Sequence, residues 1–162
     1  MIPQLTSLYG FNLRVARAMV NDLTPEQMTE QPHGVVNHPA WSLGHLVMVA
    51  DGLAQLLGLE SEVAGGWAPI FATGGIPSND ASRYPTKEEL LDALAAQHAR
   101  SAAAVAVTDP AWFDTRNPDE KRRKRFPTLG DQVVYLMTSH EMLHLGQVAA
   151  WRRAMGLPPA RR

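Results

Sequence analysis

The chain has 162 residues, 15 basic and 16 acidic, for a net charge of −1, with 45% hydrophobic and 19% charged residues and no cysteine. That balance belongs to a globular chain large enough to bury a core, and it gives no global attraction to nucleic acid or to acidic membranes. The missing cysteines exclude a disulfide scaffold, a thiolate zinc site and a cysteine nucleophile.

Helical periodicity dominates, and four helices are expected near residues 5–22, 39–57, 87–107 and 129–155. The first carries Leu5, Leu8, Asn12, Val15, Met19 and Leu23 at helical spacing. Thr24-Pro25-Glu26-Gln27 then restarts a short helix, with Thr24 and Gln27 as a capping box. The second helix begins at Pro39, and its seam reads Trp41, His45, Val49, Gly52, Leu56. It is apolar on nearly every side, which predicts deep burial. In it Gly44 and Gly52 are expected to let a neighbouring helix approach.

A connection over 58–85 follows, with Gly65-Gly66, Gly74-Gly75, Trp67, Phe71 and Tyr84. Segments of this length are usually functional or pack as lids. Thr86 to Glu89 caps the third helix, whose inner face is expected to carry Leu91, Leu94, His98, Ala102 and Val105. A second loop, 109–127, holds the basic run Lys121 to Arg125, read as a solvated loop because no aromatic residues interleave it. The fourth helix starts after Thr128 and stops at Gly156, ahead of Pro158 and Pro159. No strand pattern competes, so the expected fold is all-α: one four-helix bundle domain over 1–162, with the long connection free to cross over.

The opening Met1-Ile2-Pro3-Gln4 lacks the pattern of a secretion signal. The longest apolar stretch, Leu43 to Ala50, runs into Asp51 and falls far short of a membrane span. A cytoplasmic chain is the expectation.

The chemistry concentrates in His140-Glu141-Met142-Leu143-His144, an H-E-x-x-H sequence. Histidines four apart on a helix point the same way and can share one metal ion; alternatively they are core histidines with satisfied hydrogen bonds. Zinc proteases with this motif take a third ligand from downstream, but no His, Asp or Glu occurs from Leu145 to Arg162. A third ligand must come from upstream, and His45, an imidazole inside the most apolar helix, is the best candidate. His98, also on an inner face, is a fourth ligand, a proton shuttle or core filler. His33 and His38 precede the second helix, where surface or capping roles are expected. Glu141 is a candidate proton acceptor or a group that orients a histidine, and Trp41, Trp67 and Phe71 are candidate walls of an apolar pocket. Neither a nucleophile elbow nor a phosphate-binding glycine loop is present.

Three segments carry a resemblance: Trp41-Ser42-Leu43-Gly44-His45-Leu46, the loop Gly66-Trp67…Phe71…Gly74-Gly75 leading to Tyr84-Pro85, and His140-Glu141-Met142-Leu143-His144-Leu145-Gly146-Gln147. Together they resemble the DinB-like superfamily of damage-inducible bundle proteins, from the first helix to about residue 156. The resemblance implies an up-down-down-up bundle, a divalent ion (zinc, nickel or iron) on His45, His140 and His144, and often a homodimer. Relatives include transferases and isomerases that use low-molecular-weight thiols such as bacillithiol or mycothiol, and others classed as metal-dependent hydrolases. It therefore implies a small-molecule substrate, and the family name does not imply DNA binding; the near-neutral charge and the short apolar stretch leave neither nucleic acid nor a membrane as an expected partner. The alternative is a non-catalytic metal-binding stress protein, its site closed by a fourth ligand such as His98.

Overall fold

The computed structural model describes residues 2–160. Eight α-helices occur among them: α1 Ile2–Val20, α2 Pro39–Leu56, α3 Ala68–Phe71, α4 Lys87–Val107, α5 Pro110–Phe113, α6 Glu120–Arg123, α7 Leu129–Tyr135 and α8 Glu141–Ala154. A single π turn, Leu136–His140, joins α7 to α8, so the expected fourth helix is one interrupted rod. The described residues contain no strand; one isolated antiparallel bridge links Arg116 and Thr128. None of the helices is long and apolar enough to cross a membrane.

The helix starts follow from their caps. Thr86 and Glu89 exchange side-chain-to-backbone hydrogen bonds at the start of α4, and Thr128 and Asp131 do the same for α7. Thr24 and Gln27 form the reciprocal pair before a 3-10 turn at Gln27–Thr29. His38 caps α2: its Nδ1 accepts from the Trp41 N–H at 3.2 Å, which places the proton on Nε2, and Nε2 donates to the Ser78 carbonyl at 2.9 Å. The capping role expected for His38 is therefore met from a fully buried position. At Gly156 the chain takes φ 70°, and the Leu157 N–H returns to the Arg152 carbonyl, closing α8.

α2 packs along α4 and against α8, while α1 packs on α4, on α8 and on the π turn. Two apolar clusters result. One joins Val15, Met19, Leu43, Leu46, Leu94 and Trp151, among others; the second joins Leu5, Tyr9, Leu53, Val105, Val133 and Met137. Each such large side chain stabilises the fold by roughly 1.5–3 kcal/mol on burial. By position along the helices, Asn12, His98 and Glu141 fall between the two clusters, so buried polar groups separate them.

Two expected faces need correction. Leu8 is 52% exposed, because the buried stripe of α1 runs through Leu5, Tyr9, Asn12 and Ala16, one position around the helix. On α4, Leu91 and Ala102 are half-buried, and Leu90, Gln97 and Ser101 take the interior positions.

Candidate metal centre

α2 brings His45 against α8, and the three rings His45, His140 and His144 converge. Ring centroids lie 4.6 Å apart for His45–His144, 5.4 Å for His45–His140 and 4.7 Å for His140–His144. One nitrogen from each ring lies within 4.8 Å of the other two. Ligands held about 2.0–2.1 Å from one ion sit within roughly 4 Å of each other, so small ring movements would close the set on a metal.

The protonation of His45 is fixed by the long connection. Its Nδ1 faces the Phe71 carbonyl at 2.9 Å. A carbonyl only accepts, so Nδ1 carries the proton and Nε2 keeps the lone pair. Trp41 stacks parallel to His45, centroids 5.0 Å apart, and its indole N–H donates to the Ile70 carbonyl at 3.1 Å. Both α2 side chains thus pin α3, and α3 in turn orients the ring.

Gly44 makes this docking possible: a Cβ there would lie 2.2–2.4 Å from three atoms of the Phe71 ring. The room at Gly44 serves the connection, not a neighbouring helix, and Gly52 meets nothing within 4 Å because it faces a cavity. Gly44→Ala is expected to destabilise the fold by about 1–3 kcal/mol, the usual cost of overpacking. Urea unfolding checks this, and a midpoint within error of the parent would contradict the packing described.

Burial drives the pKa values of all three imidazoles down. His140 falls to about 4 through burial, then through repulsion from His45 and Arg125. His144 also falls to about 4 through burial and its two histidine neighbours, and His45 is lowered by burial. At neutral pH the rings are uncharged and their lone pairs are free. His140 and His144 each leave a buried Nδ1 with no hydrogen-bond partner among the described residues. Three neutral imidazoles gathered at this distance are a donor set that suits a borderline divalent ion.

A cavity of about 480 Å³ opens beside the cluster, its wall including His45, His140, Phe71, Thr73, Arg122 and Gln132. Of the three expected pocket walls, Phe71 alone lines this cavity. Trp41 braces His45 instead, and Trp67 packs behind Phe71 with centroids 5.3 Å apart. The α2 seam residues Val49 and Gly52, read from the sequence as core, also face this space.

Glu141 is not at the cavity. One residue after His140 it is turned about 100° around the helix, and it is buried against α4, where His98 Nε2 donates to its Oε1 at 2.6 Å. Burial raises its pKa, and the His98 contact opposes that rise. A role as proton acceptor in the cavity is therefore replaced by one in the interior. His98 stacks on Tyr9 at 3.7 Å and stands apart from the three-histidine cluster. Sequence reasoning missed Arg122 and Gln132, and the only local signal was Asp119, which caps α6 just ahead of the basic run.

No curated protein and no solved structure matches the chain significantly. The family description "DinB superfamily" matches residues 10–148, a span that holds α2, the long connection and all three converging histidines. By that match the chain belongs to the DinB superfamily.

Proposed function

We propose that this protein is a metal-dependent enzyme acting on a small molecule, with His45, His140 and His144 as the ligands of one divalent ion. The observation that carries the reading is the cavity against which His45 and His140 stand, since a non-catalytic site closed by a fourth ligand would leave no such opening. His98, the side chain best placed in sequence to close the site, is engaged with Glu141. Metal binding is general in the family, which supports the same assignment. An ion held there, whether zinc, nickel or iron, supplies Lewis acidity that brings the pKa of a water or an incoming thiol toward neutrality.

The chain's own residues do the rest. The Phe71 carbonyl holds His45 in one tautomer, Trp41 fixes its plane, and the Phe71 ring keeps one wall apolar. With no cysteine in the chain, any sulfur nucleophile must be a low-molecular-weight thiol cosubstrate. Two reactions fit, hydrolysis and thiol transfer. We further propose that the four long helical segments form one domain in up-down-down-up order, that two chains associate as a homodimer, and that the protein works in the cytoplasm.

The test is elemental analysis of purified protein followed by hydrolase and thiol-transfer assays with several bacterial thiols. About one divalent ion per chain is expected, as is normal for a three-histidine site. Turnover should disappear when a chelator removes the ion and return when it is restored. A protein that retains no ion after loading and dialysis would overturn the reading.

A further inference from the structure

We propose that the cavity beside the histidines takes a small molecule bearing a carboxylate, with Arg122 as its charged partner and Gln132 as a neutral hydrogen-bond donor. The inference rests on reading this cavity as the substrate site, and it names the substrate class.

The loop between α5 and α7 is closed at its base. The Asn117 N–H donates to the Pro127 carbonyl at 2.9 Å, and the Leu129 N–H to the Thr115 carbonyl at 2.9 Å. Inside this base sits a chain of amides whose orientation is determined. The Asp119 N–H donates to Asn117 Oδ1 at 3.1 Å, so Asn117 presents its NH2 group elsewhere. That group donates to Gln132 Oε1 at 2.7 Å. The Gln132 NH2 group is then left over. It has no protein partner among the described residues, although Gln132 is only 3% exposed and the side chain borders the cavity. An amide donor with no protein partner that stays accessible from the cavity is free to meet a ligand's acceptor.

The same loop carries α6 to the cavity wall. Asp119 Oδ1 accepts the N–H groups of Lys121 and Arg122, and its Oδ2 lies 3.4 Å from Arg122 Nε. This contact uses the inner edge of the guanidinium. The Arg122 side chain is 60% exposed and its two terminal nitrogens have no partner among the described residues, so they are reachable from the cavity whose wall Arg122 forms in part. A planar pair of N–H donors matches the two oxygens of a carboxylate. No Asp or Glu lines the cavity to compete. The chain as a whole is near neutral, so the positive charge here is confined to the Lys121 to Arg125 run. The volume, about 480 Å³, is that of a small-molecule site.

The experiment is an NMR titration of the full chain, zinc-loaded and metal-free, with succinate, its neutral diamide succinamide, and inorganic phosphate. Succinate is expected to shift the signals of Thr73 and Gln132 and to bind at least about tenfold tighter than succinamide. Arg122→Gln should weaken succinate roughly tenfold, whereas Lys124→Gln, which removes the same charge from the same basic run but not from the cavity wall, should change it less than about twofold. Equal weakening by both variants, no effect of Arg122→Gln, or phosphate binding tighter than succinate would each overturn the inference. Zinc affinity is read in the same samples by chelator competition. Succinate binding that responds to Arg122→Gln in a protein that fails to take zinc would uphold this inference and remove the metal reading alone.

Discussion

His45→Ala is expected to lower the affinity for zinc by a factor of about 10³ or more, because the loss of a ligand exceeds the 10–100-fold cost of losing a group that only orients one. His45 is the sole contribution of α2 to the converging set; the other two rings come from the π turn and α8. With it gone, His140 and His144 remain as a pair on one helix, a chelate with no ligand from across the interface. The fold should survive. The change frees the Phe71 carbonyl of its donor, a loss of about 1–2 kcal/mol, while the apolar packing of α2 through Leu43, Leu46 and Val47 is untouched. Chelator competition reads the affinity and circular dichroism reads the helix content. Parent-like zinc binding by a folded His45→Ala protein would remove His45 from the site.

The caps explain how much of this was legible in the sequence. Thr86 with Glu89 and Thr128 with Asp131 mark helix starts because capping is a contact between residues three apart. His45 was legible for a different reason: one imidazole within an apolar helix demands a partner. The features that escaped depend on residues far apart in the chain. The π turn has no Gly or Pro to announce it. Thr138 donates to the Val134 carbonyl from within it, and Asn12, from α1, donates to the Met137 carbonyl at 3.1 Å. The partner of Glu141 lies 43 residues upstream. Lys121, Arg122, Lys124 and Arg125 are exposed, as a solvated run should be; the sequence did not show that Arg122 also borders the cavity, on a loop whose base holds the buried Asn117–Gln132 pair. Arg152 is likewise invisible as a core residue, yet it is fully buried, forked onto Asp22 and bonded to the Met19 and Pro158 carbonyls.

The metal-free protein is expected to lose stability steeply between pH 6.5 and about 4, with His38 alone accounting for about 3 kcal/mol of the loss. Burial lowers the His38 pKa from 6.5 to about 4. Above pH 6.5 neither the folded nor the unfolded chain holds the proton, and the group has no effect. As the pH falls through 6.5 the unfolded chain takes up the proton and the folded chain refuses it, so folding weakens until about pH 4. A proton on Nδ1 would also remove the acceptor that caps α2. His140 and His144 are lowered by burial in the same way and act over the same window. Glu141, whose pKa burial raises, opposes the loss in the same window, but it is present in both the parent and His38→Asn and cancels when the two are compared. Asp22, Glu89, Asp119 and Asp131 all have lowered pKa values, so the stability they contribute is present above the ordinary carboxylate range and is lost only at still lower pH. His38→Asn isolates the contribution, since asparagine can cap the helix with its carbonyl but does not titrate. Urea unfolding at pH 7.5, 6.0 and 4.5 should show the parent falling faster than His38→Asn by about 2.5 kcal/mol over that range. Parallel pH profiles for the two proteins would mean that His38 is not held neutral in the folded state.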